Sequence, residues 1–560
     1  MPSIQSVSPL SDWEQLPLPQ QVAQMVIVRA SGHLFDQQIQ YPAWEPPAAV
    51  LQRWVQELGV GGVILLGGSA AEVGLRSQQL QDWATLPLLI AADIEEGVGQ
   101  RFAGATAFPP PLAVGAIAQK NLSQAIAYAE QMGAITAQEA LAIGINWLLA
   151  PVVDVNNNPD NPVINVRAWG ETPQIVSQLT TAFIRGAQRH RVLTAAKHFP
   201  GHGDTATDSH LDLPVIPHDR QRLAEVEWPP FVAAIAQGVD AVMTAHLQIP
   251  SLDDQYPATF STAIVTGELR QRLGFQGLIV TDALIMGAIT NRYGANEAPI
   301  LAIEAGADVL MMPVDPVGTI QAICQAVSSG RIAPERIHAS LERIWQAKQK
   351  VIAQPFVGSA SHAWEQTPPP LQLEQLAQPQ AIATVFSTLT DSMQVHRPLR
   401  SRLENPASQK RRNLILVDDL LNSPFLSRQA PAIVLPTERG YALQWVDRQT
   451  PPMLLSAEPA DCQPTLLQLF VRSTPFRGTA GLTPIARNWL YFLIETEQLQ
   501  ALILYGSPYV LEFLRSQLPD DVPYVFTYGQ MPAAQAIALE ALFSSVEGEL
   551  NCQTHQIFTD

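Results

Sequence analysis

Eight short, continuously apolar segments occur in the first 350 residues, and stretches of helical composition separate them. Strands that are buried on both faces have this pattern, whereas half-exposed antiparallel strands alternate apolar and polar residues. The segments span residues 24–30, 61–67, 87–95, 145–156, 192–199, 241–247, 277–284 and 307–313. Their number and spacing predict an α/β fold with an N-terminal (β/α)8 TIM-type barrel over residues 1–350, with an open doubly wound sheet as the alternative.

A second, smaller domain is predicted beyond the barrel. The Pro- and Gln-rich stretch 351–380 has the composition of a surface linker, and apolar segments resume over 381–560. The strand-like segments are NLILVDDLL (413–421), PAIVLP (431–436), PMLLSAE (452–458), LQLFVRS (467–473), LQALILYG (499–506) and VPYVFTYG (522–529), and the helical ones are PTLLQLF (464–470) and PAAQAIALEALF (532–543). This alternation predicts a three-layer α/β sandwich. Few ionisable residues cluster at its strand ends, so we expect the chemistry to lie in the barrel.

Composition and charge narrow the expected partners and location. The 560-residue chain is 47% apolar and carries a net charge of −18, which disfavours nucleic acid and anionic membranes as partners. It has no run of 18 apolar residues and no N-terminal pattern of a secretory signal. The cysteines, Cys324, Cys462 and Cys552, are far apart and predict free thiols rather than disulfides. We therefore expect a cytoplasmic protein, and we expect it to be a monomer.

Charged and polar residues end five of the eight predicted barrel strands. They are Asp93 with Glu95, Asp154, Lys197 with His198, His246, and Asp282. Catalytic groups of such barrels lie at the C-terminal ends of the strands. Burying one of these charges without a partner costs several kcal/mol or more, so each must face a partner or a polar cavity. A shared polar pocket explains five such ends better than five separate structural ion pairs.

The segment KHFPGHGDTATDSHLDLP (197–214) is the densest in polar residues, and its glycines and proline predict an irregular loop after the fifth strand. Asp208 and His210 are two residues apart and would share a face in an extended backbone. A hydrogen bond from the imidazole to the carboxylate would fix the tautomer and raise the basicity of the ring, which suits a proton shuttle. A turn histidine capped by aspartate is the alternative.

A metal site is the competing interpretation of the histidines in and near this loop. Metal-dependent barrel hydrolases combine several histidines with carboxylates. Such enzymes usually carry an H-x-H after the first strand, where this chain offers only His33. We therefore predict no metal and no other cofactor.

The motifs resemble those of glycoside hydrolase family 3, and more narrowly its bacterial β-N-acetylglucosaminidases. The K-H-F-P-G-H-G-x4-D-S-H segment is highly specific to that subgroup. The remaining resemblance lies in LRQRLGFQGLIVTDALIMGAI (269–289), AADIEEGVGQRF (91–102) and NPVINVRAWGETP (161–173). It covers the whole barrel domain, whereas the second domain resembles the family's C-terminal α/β sandwich only weakly.

The resemblance implies a retaining hydrolase that removes terminal β-linked N-acetylglucosamine, from muropeptides in peptidoglycan recycling. It makes Asp282 the nucleophile and the pair Asp208 and His210 the acid/base. It implies that the sugar is bound by Asp93, Arg101, Arg167, Lys197 and His198. Asp154 and His246 are added because they end strands.

The chain departs from the family pattern near these residues. Glu96 replaces a glycine of the usual E-G-G, and we expect Val98-Gly99 to move the flexible position downstream. Ala168-Trp169 stands where Ser-Phe is usual. Three alternatives stay open: a β-glucosidase of the same family, a metal-dependent barrel hydrolase, and a non-catalytic sugar-binding protein. The D-S-H motif argues against the first, because the acid/base of a β-glucosidase is normally a carboxylate outside this loop.

Overall fold

A computed structural model describes most of the chain. The described residues are 12–39, 41–42, 44–352, 371–399, 402–404, 410–421, 423–450, 463–473 and 479–544. Most of the predicted linker and the strand predicted at 452–458 lie outside these ranges, as do Cys462 and Cys552. Cys324 is a free thiol.

Eight parallel strands form the first sheet, each at a segment predicted to be a strand, and only β1 extends beyond its predicted segment, by one residue. They are β1 (Val26–Ser31), β2 (Gly62–Leu66), β3 (Leu89–Ala92), β4 (Trp147–Leu148), β5 (Leu193–Phe199), β6 (Ala241–Thr244), β7 (Leu278–Thr281) and β8 (Leu310–Met311). β1 pairs with both β2 and β8, and a bridge between Val280 and Val309 brings β7 to the segment before β8. The predicted (β/α)8 barrel is confirmed.

Helices surround this sheet and bury the outer faces of its strands. They are α1 (Leu18–Ala23), α2 (Ala48–Arg53), α3 (Ala70–Trp83), α4 (Pro111–Ala118), α5 (Leu122–Ala142), α6 (Pro173–Ala187), α7 (Arg220–Glu225), α8 (Pro229–Ala236), α9 (Gly287–Thr290), α10 (Glu297–Ala305), α11 (Pro316–Ser328) and α12 (Pro334–Val351). Local sequence defines their starts: Ser69 and Glu72 form a capping box at α3. Every residue of β1 and of β5 is buried, which explains their continuous apolar runs.

The second domain is a three-layer α/β sandwich, as predicted. Its strands are β9 (Gln394–His396), β10 (Arg411–Val417), β11 (Tyr441–Val446), β12 (Thr465–Val471), β13 (Leu499–Gly506) and β14 (Tyr524–Thr527), in the order β11-β10-β12-β13-β14-β9 with β9 antiparallel. Its helices are α13 (Pro379–Ser392), α14 (Pro431–Glu438), α15 (Pro484–Glu495), α16 (Pro508–Arg515) and α17 (Pro532–Phe543). Leu414 and Leu416 pack towards α15 and α16, whereas Ile415 packs towards α14 and α17.

Some elements of this domain were predicted wrongly. PAIVLP is the start of helix α14, which Pro431 begins at a position where the missing N–H is not needed. Its dense β-branched residues mimic a strand. PTLLQLF is strand β12, not a helix, because it is buried in the middle of the sheet. β9 and β11 were missed, since their burial is mixed and their apolar runs are short.

Among the described residues, no helix is long and apolar enough to cross a membrane.

Candidate active site

A network of charges lies at the carboxyl ends of β3 and β5. The ammonium group of Lys197 lies 2.7 Å from Asp93 Oδ1 and 2.6 Å from Glu95 Oε1. Arg167 donates from Nε and Nη2 to Glu95, at 2.9 and 2.8 Å. Asp93 has 29% of its side chain exposed, whereas Lys197 and Glu95 are buried. We call this end of the barrel, where the carboxyl ends of its strands lie, the mouth. Side chains from the end of β5 and from the loops after β3 and β4 thus meet in one polar cluster, and those of β3 and β5 are strand ends predicted to share a pocket.

Glu95 holds this cluster together. Burial alone would raise its pKa, but Arg167 and Lys197 hold that pKa well below its ordinary value. Burial would lower the pKa of Lys197, and Asp93 and Glu95 raise it instead. The groups therefore stay charged, and their hydrogen bonds fix their positions. The sequence analysis placed Glu95 among the charged strand ends but not among the sugar-binding residues, although its i, i+2 relation to Asp93 was a signal for such a role.

Arg101 completes the β3 side of the mouth. It is exposed, and its Nε donates to the backbone carbonyl of Asp93 at 3.1 Å. Its guanidinium is thereby tied to the backbone of Asp93, whose side chain is partly exposed.

Asp154 lies behind the site rather than on its surface. It is fully buried, its Oδ2 lies 2.8 Å from His198 Nδ1, and its Oδ1 accepts from the amide of His202 at 2.7 Å. Since the carboxylate accepts the Nδ1 proton, Nε2 of His198 points away from it. His202 is held by Thr205 and Ser209 at 2.9 Å each, and burial lowers its pKa to about 4. Asp154 therefore orients a histidine and is shielded from ligands.

Asp282 follows β7 and is half-buried. Burial would raise its pKa, but His198, His246 and His210, together with the backbone amide of Ala283, lower the pKa to about 2. That amide donates to Oδ1 at 2.8 Å. The carboxylate is therefore ionised at neutral pH, and one oxygen, Oδ2, is left for chemistry.

His246 contacts the segment that carries Asp282. It is fully buried, its Nδ1 lies 2.8 Å from Thr259 Oγ1, and its Nε2 lies 3.1 Å from the carbonyl of Ala283. Burial lowers its pKa. Both ring nitrogens have protein partners, so this histidine positions the Asp282 loop rather than facing the mouth.

Asp208 and His210 make the hydrogen bond expected from their spacing. Nδ1 of His210 lies 2.9 Å from Asp208 Oδ1, which also accepts from the His210 backbone amide at 2.9 Å. The backbone forms a turn here, not the extended strand on which the expectation rested. The Asp208 side chain is buried and that of His210 is 20% exposed. His210 also lies close enough to Asp282 to lower its pKa.

No group of three or more His, Cys, Asp or Glu side chains is placed to hold a metal ion in the part of the chain that the structure describes. The histidines of the site pair instead with carboxylates, hydroxyls and carbonyls.

The fold and this pocket define an α/β-barrel protein with an acid- and histidine-rich mouth and a second α/β domain. Its sequence matches the glycosyl hydrolase family 3 N-terminal domain over residues 18–347 and the bacterial glycosyl hydrolase family 3 C-terminal domain over residues 404–544. The chain belongs to glycosyl hydrolase family 3.

Relatives include proteins named beta-hexosaminidase. The chain is 35% identical over 351 residues to Beta-hexosaminidase A of Pseudoalteromonas piscicida, covering 56% of this chain and 58% of that protein. It is 35% identical over 263 residues to Beta-hexosaminidase of Stenotrophomonas maltophilia (strain R551-3), covering 46% of this chain and 78% of that protein. A family 3 beta-N-acetylglucosaminidase of Paenibacillus sp. str. FPU-7 has a similar structure, with a TM-score of 0.74, 29% identity, and coverage of 94% of this chain and 97% of that one.

Proposed function

We propose that the protein is a retaining glycoside hydrolase that removes terminal β-linked N-acetylglucosamine. One observation carries the proposal: an ionised carboxylate, Asp282, lies at the barrel mouth within electrostatic reach of the hydrogen-bonded His210–Asp208 pair. The names of the similar proteins supply the sugar. Terminal sugars on peptidoglycan fragments in the cytoplasm are the physiological substrate that we expect from the sequence motifs.

In the first step, Oδ2 of Asp282 attacks the anomeric carbon while the bond to the leaving oxygen breaks. His210 donates a proton from Nε2 to that oxygen, since its Nδ1 is directed to Asp208. An imidazolium can act here in place of the second carboxylic acid of most glycosidases, because its ordinary pKa is near neutrality. The product is a glycosyl ester of Asp282 and a neutral imidazole.

In the second step, Nε2 of His210 takes a proton from water, whose oxygen attacks the anomeric carbon and releases Asp282. Two inversions at the same carbon give overall retention. Asp208 acts as a positioning residue, because it holds the His210 tautomer and stabilises its cation. Asp154 positions His198, and His246 positions the Asp282 loop, in the same indirect way. We therefore propose these positioning roles for Asp154 and His246 in place of sugar binding.

The sugar is held by the charged network on the other side of the mouth. Asp93 and Arg101 are its exposed members, and Lys197 and Arg167 supply further donors. We add Glu95 to this set, since it fixes both cations. Hydrogen bonds from charged groups orient the ring so that its anomeric carbon faces Asp282.

The proposal is tested by comparing an aryl β-N-acetylglucosaminide with the matching aryl β-glucoside. We expect kcat/KM to favour the N-acetylated sugar by at least about 10²-fold, because a site that hydrogen-bonds the acetamido group rejects a sugar that lacks it. The anomer first released should be β by NMR. Preference for the glucoside would assign the protein to the β-glucosidase alternative. Loss of activity on adding a chelator would revive the metal alternative, and sugar binding without turnover would support the non-catalytic one.

Gly287 gives a test of how the His210 loop is placed. Its amide donates to the carbonyl of His210 at 3.3 Å, and a Cβ at this position would lie 2.8 Å from that oxygen. Gly287→Ala must therefore displace the loop, and we expect kcat to fall about 10-fold or more. Gly294→Ala is the matched control, because a Cβ there meets nothing within 4 Å. Equal rates for the two variants would show that the loop position does not matter.

A further inference from the structure

The second domain contacts the barrel through the carboxyl ends of its central strands. Arg472 directly follows β12, and Ser507 directly follows β13. In open α/β sheets this edge is where ligands usually bind. Here it meets the barrel loops that follow β3 and β4, which carry the charged network of the proposed sugar site.

A buried ion pair joins Arg472 to the β3 loop. Nη1 of Arg472 lies 2.8 Å from Glu96 Oε2, and Nη2 pairs with Oε1, so the contact is bidentate. Only 5% of the Glu96 side chain and 17% of the Arg472 side chain are exposed. Burial would lower the pKa of Arg472, and the Glu96 carboxylate raises it instead. Bidentate Arg–carboxylate pairs fix geometry as well as charge.

Glu96 is the immediate neighbour of Glu95, and the two side chains have opposite partners. Glu95 faces Lys197 and Arg167 inside the barrel, whereas Glu96 faces the second domain. Glu96 lies in a turn directly after Glu95, so an anchor on the Glu96 side chain also constrains the backbone from which Glu95 extends.

The rest of this loop is tightly constrained. The amide of Phe108 donates to the carbonyl of Glu96 at 2.8 Å, and Gly97 has φ 85°, with Thr106 O 2.5 Å from where a Cβ would lie. The left-handed position of this loop is thus at Gly97. The prediction that the flexible position moves downstream to Val98-Gly99 is therefore wrong. Gly99 is needed for a different reason, since it permits the close approach of the Ala105 carbonyl oxygen. A small movement of Glu96 therefore has to move Glu95.

The second domain holds the β4 loop independently. Ser507 Oγ donates to Asn165 Oδ1 at 3.1 Å, two residues before Arg167. Tyr509 donates its hydroxyl proton to Glu171 at 2.8 Å and accepts from Asn156 at 2.8 Å. Both loops that supply the Glu95–Arg167 pair are therefore braced from the same edge of the second sheet.

We propose that Arg472 is a positioning residue for the sugar site: its pair with Glu96 orients Glu95, and through it Lys197 and Arg167. The second domain thereby determines how tightly the barrel binds the terminal sugar. The inference rests on the function proposed above. The ion pair involves Glu96, the residue at which this chain departs from the E-G-G motif of the family. A glycine at position 96 would have no side chain to pair with Arg472.

The test compares three variants of the full chain. Arg472→Met leaves the buried Glu96 carboxylate without its partner, and the loop must move to solvate it. We expect KM for the aryl N-acetylglucosaminide to rise about 10-fold, with a smaller change in kcat, and amide hydrogen exchange over residues 93–101 to accelerate. The double variant Glu96→Gln, Arg472→Met should recover KM to within about 3-fold, since the stranded charge is gone. Arg448→Met, which breaks an Arg448–Asp419 pair within the second domain, is the matched control and should leave KM unchanged.

A lower Tm with unchanged KM in Arg472→Met would overturn the inference, because the pair would then only join the domains. A double variant as impaired as the single one would also overturn it. If Arg472→Met does not fold, Arg472→Lys, which keeps the charge but not the bidentate geometry, must raise KM severalfold. Exchange over 93–101 requires no substrate, so an inactive wild-type chain would contradict the proposed function while the effect on the loop could still be measured.

Discussion

Replacing Asp282 by alanine is expected to lower kcat/KM by about 10⁴-fold or more, the order of loss found when a nucleophile is removed. Glu95 cannot take over, because two cations engage it, and Asp154 cannot, because it is fully buried. The loss should be the same from pH 5 to pH 8, since a pKa of about 2 keeps Asp282 ionised throughout that range. Initial rates with an aryl β-N-acetylglucosaminide measure it.

The fold should survive this substitution. The Asp282 side chain accepts one backbone hydrogen bond and is half-buried at the end of its strand, so it contributes little to the barrel core. We expect Tm to change by less than about 4 °C, the shift that corresponds to roughly 1 kcal/mol. Asp82→Ala, at an exposed position on α3, is the control for loss of an aspartate. Substantial residual turnover in a folded Asp282→Ala protein would refute the nucleophile assignment.

Replacing His210 by alanine should slow the enzyme according to the leaving group. Poor leaving groups need a proton in the transition state, so we expect kcat/KM to fall about 10³-fold for alkyl or sugar aglycones. Activated aryl groups leave without that proton, and their loss should stay below about 10-fold. The measurement is a plot of log kcat/KM against leaving-group pKa, which should become steeper in the variant.

Asp208→Ala should give a milder version of the same slope, because Asp208 orients His210 and transfers no proton itself. His190→Ala, at the opposite end of β5, is the control and should match the wild type. Equal losses for good and poor leaving groups in His210→Ala would remove the acid role and make His210 a structural turn residue.

The barrel could be predicted because each of its strands is buried on both faces, which leaves a continuous apolar run in the sequence. The second domain was harder. Helix α14 has the β-branched composition of a strand, and only its packing against α17 and β11 decides the outcome. Intrinsic preference is a weak guide where tertiary contacts are available.

The site shows the same limit. The grouping of charges at the mouth follows from strand ends, and the Asp208–His210 contact follows from spacing. Contacts between residues far apart in the chain leave no such local pattern. Glu95 orients cations 72 and 102 residues away, and Glu96 finds its partner 376 residues later. Which aspartate is exposed and which is buried, as with Asp93 and Asp154, also depends on the folded loops.

Trapping of the covalent intermediate tests the central claim most directly. A fluorinated N-acetylglucosaminide with an activated leaving group forms the glycosyl–enzyme faster than water can release it, because fluorine destabilises both oxocarbenium-like transition states and the leaving group restores only the first step. Proteolysis and mass spectrometry of the labelled protein should place one sugar on Asp282, and the Asp282→Ala protein should stay unlabelled. A label on Glu95 or Asp154, or inactivation without a covalent adduct, would contradict the account.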